Sequence, residues 1–159
     1  MQHLSTEQLK AFIEKPFAFV ERVGLKAHRM EPRRIKLGLP LKGNENHLGI
    51  MYAGALFTVA ELPGGALYLT TFDVEKFYPV LKEMNIRFRR PATSDVTVEA
   101  ALSQTEVARI TTEAETRGKS EFILKTVIKD TEGTAVAETE GVYQLRAIRQ
   151  SPEPPAQTR

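Results

Sequence analysis

Residues 53–70 read AGALFTVAELPGGALYLT. Apolar residues fall at every helical position and leave no polar stripe, so the segment predicts a helix that is surrounded by protein on all sides. Pro63 has no N–H to donate to the carbonyl of Val59, and two glycines follow it at once. We therefore expect the helix to be kinked or broken near Leu62.

The segments around this helix have the pattern of strands. Apolar and polar residues alternate over 35–41, 84–88 and 96–102, which is the period of a half-buried strand. Two longer alternating runs, 120–129 and 134–147, are joined by a turn sequence and predict a hairpin. Since an apolar helix needs a partner that can wrap it, the sequence predicts an α+β fold, with a curved antiparallel sheet rolled around one central helix.

Two further helices have clear boundary signals. Ser5 precedes Gln8 at the spacing of a capping box, which predicts a helix over residues 6–14. Another helix is predicted from Thr105 to Arg117, where a glycine follows its last turn.

Length and composition indicate one domain. The chain has 159 residues, enough for one buried core, and we assign residues 1–149 to a single domain. Residues 150–159 read QSPEPPAQTR, a polar, proline-rich segment that predicts a flexible tail.

Charge and residue usage exclude several classes of function. The 22 basic and 20 acidic residues give a net charge of +2, too even for a nucleic-acid binder. With no cysteine there is no thiolate metal site or cysteine nucleophile, and we expect neither a metal nor a cofactor. No apolar run reaches the ~20 residues that span a membrane, and the N-terminus lacks the pattern of a secretory leader. A cytoplasmic location without membrane association is the expectation.

Glu61 is the one carboxylate inside the most apolar segment of the chain. Burial among Leu56, Phe57 and Val59 is expected to raise the pKa of this carboxyl group, which suits a general base. The alternative is that Glu61 lies at the kink before Pro63, reaches solvent and has no chemical role.

The residues before and along the helix resemble a known family. Residues 46–54 read NHLGIMYAG, and Glu61 follows seven residues later. This pattern resembles the Asn-x-x-Gly-x-x-His-Gly-Gly segment and following acidic residue of hotdog-fold acyl-CoA thioesterases, in the branch that includes phenylacetyl-CoA and hydroxybenzoyl-CoA thioesterases. Residues 84–92, MNIRFRRPA, look like the strand that follows in that family, and the resemblance extends over about residues 24–147.

The resemblance implies a catalytic group. The helix N-terminus at Gly54 would present backbone N–H groups to the thioester oxygen, and Glu61 would activate or orient water or attack as nucleophile. Asn46 would orient the water or the carboxylate. The substrate-binding candidates are His47, Tyr52, Ala53, Thr58, Arg89 and Arg90.

The resemblance also implies partners. The substrate would be an acyl-CoA or acyl-carrier thioester, with Arg89 or Arg90 close to the phosphates of CoA. The chain would form a homodimer or a dimer of dimers, with Glu61 facing the loop 46–54 of a second copy. The alternative for the two arginines is a solvated strand face.

The chain departs from the family pattern at three places. Tyr52 stands where the family often has histidine, and Ala53 replaces the first glycine. The family often places Ser or Thr just before the strand that corresponds to 84–92, where this chain has residues 81–83, LKE. A hydroxyl that helps to hold the water is then absent from this chain, or Thr58, Thr70 or Tyr78 supplies it.

Two other functions remain open. A dehydratase or hydratase of acyl thioesters would pair a histidine with an acid, and His47 lies fourteen residues before Glu61. A non-catalytic acyl-thioester binding module is the second alternative, favoured by Tyr52 and Leu81. Asn46 is also a common turn residue, which would give it a structural role.

Overall fold

The computed structural model describes residues 5–148, so the predicted tail at residues 150–159 lies outside the described residues. The elements in chain order are α1 (Thr6–Glu14), α2 (Ala18–Val23), β1 (Lys26–Glu31), β2 (Arg34–Leu39), α3 (Ala53–Thr71), β3 (Phe77–Phe88), β4 (Val96–Ala101), α4 (Gln104–Arg117), β5 (Lys119–Asp130) and β6 (Ala135–Ala147).

The six strands form one sheet in the order β1-β2-β4-β5-β6-β3, and every neighbouring pair is antiparallel. Helix α3 packs against one face of the curved sheet and contacts all six strands. The predicted α+β architecture is confirmed, and β5 and β6 form the predicted hairpin. Strand β3 lies at one edge of the sheet, so one side of its backbone has no strand partner among residues 5–148.

Local sequence signals were sufficient to predict two of the three shorter helices. The Ser5–Gln8 capping box is present at the start of α1, and α4 ends at Gly118, whose φ of 78° lies in the left-handed region. Both predicted helices are confirmed. Helix α2 was not predicted, because its six residues are too few to show a helical repeat.

The central helix does not break at Pro63. It continues as one α-helix from Ala53 to Thr71, so the alternative of a break near Leu62 is wrong, while a kink there stays a prediction. A proline in a helix interior removes one hydrogen bond and costs roughly 3 kcal/mol. Residues 62–64, 66 and 67 are buried, and this packing offsets the local cost.

One side of α3 is not covered by the other described residues, which corrects the expectation of a fully surrounded helix. Ala53, Phe57, Glu61 and Gly65 follow one another at intervals of four residues and are exposed or half-buried. Phe57 keeps 40% of its surface exposed. The four residues define the open stripe of α3, which lies on one helical face.

Strand β3 begins earlier than its alternating pattern indicated. Residues 81–83 lie inside the strand at a bulge, and the strand starts at Phe77. The first part of β3 was not predicted, because a proline such as Pro79 argues against a central strand. It is tolerated here because β3 is an edge strand.

No described helix is both long and apolar enough to cross a membrane.

Candidate active site

The N-terminus of α3 has two backbone donors without a partner. The backbone of Tyr52 is extended at the N-cap, and its side chain does not cap the helix. Its carbonyl accepts hydrogen bonds from the N–H groups of Ala55 and Leu56. The N–H groups of Ala53 and Gly54 have no acceptor among residues 5–148. Because the helix dipole is positive at this end, the two donors form a local site for a developing negative charge.

Asn44 fixes the chain just before this helix end, and sequence reasoning missed it. Its side-chain amide is buried and donates to the carbonyls of Val23 and Pro40, each at 2.8 Å. Its own carbonyl accepts a hydrogen bond from the N–H of Tyr52 at 2.8 Å. These bonds hold the entry to α3 against the end of α2 and the residue that follows β2. A polar side chain within a loop gave no signal that distinguished this role from an ordinary turn.

The candidate catalytic residue Asn46 has a turn role in the structure. Its side-chain oxygen accepts a hydrogen bond from the N–H of Leu48 at 2.8 Å, and its carbonyl accepts one from Gly49 at 3.0 Å. The turn places His47 at the exposed tip of the loop. A structural role for Asn46 is therefore shown, whereas its catalytic role and the role of His47 remain predictions.

The ring of Tyr52 lies beside Gly54. A Cβ added to Gly54 would come within 2.4 Å of a ring carbon of Tyr52, so the glycine makes room for this ring. Tyr52 is 59% exposed. The ring therefore occupies the space beside Gly54 at the N-terminus of α3.

Glu61 lies on the open stripe, two helical turns after Gly54. Seven residues correspond to about 10 Å along a helix axis and return to nearly the same face. Its side chain is half-buried, and no hydrogen bond from residues 5–148 to its carboxylate offsets this burial. Burial raises the pKa of Glu61 above its ordinary value of 4.5, in the expected direction. A carboxylate that is partly desolvated and still reachable is suited to accept a proton.

Tyr143 of β6 fixes the helix at the level of Glu61. Its hydroxyl donates to the backbone carbonyl of Glu61 at 2.8 Å, and its ring is stacked on Phe122 with centroids 5.7 Å apart. Burial and the charge of Glu61 both raise the pKa of the Tyr143 hydroxyl. Glycines at positions 64 and 141 make room for the ring. Sequence reasoning missed Tyr143, although a glycine inside a strand is a known sign of close approach.

The candidate hydroxyl groups are largely engaged elsewhere. The hydroxyl of Thr58 donates to the carbonyl of Gly54 at 2.8 Å, and that of Thr70 donates to Ala66 at 3.1 Å. Such bonds to the preceding turn use the proton of the hydroxyl. Tyr78 lies near the start of β3, beside the C-terminal end of α3. The geometry therefore singles out none of the three as the group that holds a water.

The two candidate arginines differ in their surroundings. The guanidinium of Arg89 forms an ion pair with Glu138, and this contact holds the pKa of Glu138 below its usual range. Arg90 has no carboxylate partner within residues 5–148. Both follow the end of β3 and are exposed. Arg90 is thus the freer of the two to meet a phosphate.

The comparison with protein families covers most of the chain. The domain of unknown function DUF4442 matches residues 5–144. The chain belongs to the DUF4442 family. No curated protein matches it at a significant level.

Solved structures relate this DUF4442 chain to hotdog-fold proteins. A Pseudomonas aeruginosa protein of unknown function, described as a probable thioesterase, is 52% identical over 91% of this chain and 97% of its own, with a TM-score of 0.88. A Chlorobaculum tepidum protein of unknown function is 21% identical over 92% and 99%, with a TM-score of 0.78. A Haemophilus influenzae thioesterase is 15% identical over 94% and 96%, with a TM-score of 0.71. The expected hotdog fold is confirmed.

The DUF4442 chain thus brings some predicted residues onto one helix and leaves others apart. Ala53, Gly54 and Glu61 share the exposed side of α3, whereas Arg89 and Arg90 follow an edge strand. Within residues 5–148, no three His, Asp or Glu side chains are grouped so that they could hold a metal ion.

Proposed function

We propose that this DUF4442 chain hydrolyses acyl thioesters, with an acyl-CoA or an acyl-carrier thioester as substrate. The observation that carries the proposal is the placement of Glu61 on the same helical side as the N–H groups of Ala53 and Gly54. Within residues 5–148, its half-buried carboxylate has no hydrogen-bond donor and the two N–H groups have no acceptor. The 52% identical protein described as a probable thioesterase supports the same activity.

The proposed reaction uses these groups in sequence. The thioester oxygen accepts hydrogen bonds from the N–H groups at Gly54 and Ala53, which stabilise the negative charge of the tetrahedral intermediate. Glu61 takes a proton from the attacking water as the oxygen bonds to the carbonyl carbon. The carbon–sulfur bond then breaks, and the thiolate receives that proton. The products are one carboxylic acid and one thiol.

The remaining candidates have supporting roles in the proposal. Asn46 shapes the loop and uses its remaining amide to orient the water or the carboxylate. Tyr52 and His47 line the entrance to the helix N-terminus, and Thr58 lies against the helix backbone next to it. Arg90, together with Arg89, contacts the phosphates of CoA.

The proposed active form is a homodimer or a dimer of dimers. Two features support it: the open stripe of α3 and the unpaired edge of β3. Apolar side chains of β3 that face the helix, including Met84 and Ile86, are only half-buried. A second copy that covers this region would exclude water from the acyl group and bring its loop 46–54 toward Glu61.

A thiol-release assay over a panel of acyl-CoA esters tests the proposal. Release of free thiol from saturated acyl-CoA supports hydrolysis. A change at the double bond of an enoyl-CoA without thiol release would instead identify a hydratase that uses His47 with Glu61. Binding of acyl-CoA without turnover would identify a binding module and contradict catalysis.

A further inference from the structure

A second surface feature lies away from the open stripe of α3. A cleft of about 770 Å³ opens where α4 ends, β5 and β3 begin, and β6 ends. The residues that line it are Tyr78, Arg117, Gly118, Lys119, Arg146, Ala147 and Ile148. Three of these carry a positive charge and none carries a negative charge.

The strand register places the charged residues side by side. Lys119 of β5 and Tyr78 of β3 both lie directly opposite Arg146 of β6, on the same face of the sheet. Residues directly opposite on neighbouring strands have Cβ atoms about 5 Å apart, and like charges at that distance repel. Arg117 adds a third positive charge from the last turn of α4.

The side chain of Arg146 is held in place. Two of its nitrogens donate to the side-chain oxygen of Gln144, at 3.0 and 2.9 Å. The amide nitrogen of Gln144 donates in turn to Glu121 at 3.1 Å. Arg146 is thus half-buried and oriented without a carboxylate on its own guanidinium.

The nearby acids are engaged with other groups. Glu113 of α4 accepts hydrogen bonds from Arg109 and Ser120, while Glu121 accepts one from Gln144. No ion pair joins Arg117, Lys119 or Arg146 to a carboxylate within residues 5–148. The positive charge of Arg117 is one of the causes that lower the pKa of Glu113, although the two side chains form no ion pair. Most of the positive charge of the cleft is therefore without a close partner.

We propose that this basic cleft binds the diphosphate group of a nucleotide. Three convergent cations match a diphosphate, and the guanidinium of Arg146 offers planar donors for phosphate oxygens. The volume fits a ligand larger than the anion alone. The ring of Tyr78, 42% exposed at the edge of the cleft, provides a surface on which a base can stack.

Binding of inorganic pyrophosphate to the full chain, measured by isothermal titration calorimetry at low salt, tests the site. We expect a submillimolar dissociation constant that rises at least about tenfold in the Arg117→Gln, Lys119→Gln variant. Both substituted side chains are exposed, so the fold is preserved. The control, Lys125→Gln with Lys129→Gln, removes two exposed lysines of the same strand and should bind pyrophosphate as the unchanged chain does. No binding by the unchanged chain, or equal binding by both variants, would overturn the proposal.

Competition then separates two sources of the diphosphate. If free coenzyme A displaces pyrophosphate and the Arg117→Gln, Lys119→Gln variant has a higher KM for acyl-CoA, the cleft, and not the pair Arg89 and Arg90 at the other end of β3, binds the nucleotide part of the substrate; this arm alone rests on the proposed function. If ADP displaces pyrophosphate and the KM is unchanged, the cleft binds a free nucleotide. Because pyrophosphate binding is measured without turnover, failure of the thioesterase proposal leaves the binding result intact.

Discussion

Tyr143 donates its hydroxyl proton to the backbone carbonyl of Glu61 at 2.8 Å, across 82 residues of sequence. The bond ties the middle of the central helix to strand β6, while the carboxylate of Glu61 remains on the open stripe. The sheet therefore fixes the helical level of the candidate catalytic residue without engaging its reactive group. A rigid scaffold behind a reachable side chain is what precise positioning requires.

The fit of Tyr143 against α3 makes Gly64 sensitive to substitution. A Cβ at Gly64 would come within 2.0 Å of the Tyr143 ring, whereas one at Gly65 would meet nothing within 4 Å. We expect Gly64→Ala to lower the free energy of unfolding by about 1–3 kcal/mol, since overpacking outweighs the gain in helix propensity. Gly65→Ala should leave it unchanged or raise it by up to about 1 kcal/mol. Urea unfolding of the two variants measures both, and equal stability would contradict the described packing.

The raised pKa of Glu61 predicts a pH-dependent cost to the folded chain. The stability that its protonated form contributes is full below the ordinary pKa of 4.5 and is lost as pH rises through the higher folded-state pKa. Glu61→Gln has no such loss. The thermal midpoint of the variant should therefore rise relative to that of the unchanged chain as the pH increases above 4.5. A difference that stays constant over this range would show that the carboxyl group is not desolvated.

Phe57 tests the proposed assembly. We expect sedimentation to show twice the chain mass of 17.8 kDa or a multiple of it. Phe57→Lys places a charge on the open stripe of α3 and should shift the protein toward the monomer, because burying an unpaired charge is costly. Phe12→Lys is the control, since Phe12 is 55% exposed and belongs to α1 rather than to the open stripe of α3. A chain that is monomeric at micromolar concentration, or a Phe57→Lys protein that assembles normally, would count against the assembly.

The arginines after β3 test contact with the phosphates of CoA. Reversal of both charges, Arg89→Glu with Arg90→Glu, should raise the KM for acyl-CoA far more than the KM for a short thioester that lacks the nucleotide. Of the single variants, Arg90→Glu should have the larger effect, because Arg89 is already paired with Glu138. Equal changes for the two substrates would identify the arginines as a solvated strand face.

Local patterns explain which parts of the fold were predictable. The Ser5–Gln8 capping box and the glycine after Arg117 act within a few residues, so the sequence shows them directly. The path of α3 through Pro63 depends instead on contacts with distant strands, and the ring of Tyr143 against Gly64 is one of them. Two adjacent glycines predict a helix end when only the local chain is considered. The tertiary contact outweighs that preference.

The candidate site was likewise predictable only where a local sequence pattern marked a residue. Glu61 was identifiable because it is a single carboxylate in an apolar segment, and the structure shows its burial and the raised pKa. The turn role of Asn46, the ring of Tyr52 over Gly54 and the bond from Tyr143 depend on side-chain packing between segments. No spacing in the sequence encodes those contacts. The catalytic roles themselves remain predictions.

The kinetics of Glu61→Gln test the central claim most directly. The substitution keeps the size of the side chain but removes its charge and basicity, while the N–H groups at Ala53 and Gly54 stay in place. With a preferred acyl-CoA, we expect kcat to fall by roughly 10²–10⁴-fold, the usual scale of general-base catalysis, with little change in KM. A kcat near that of the unchanged chain would contradict the assignment of Glu61 as the group that activates water.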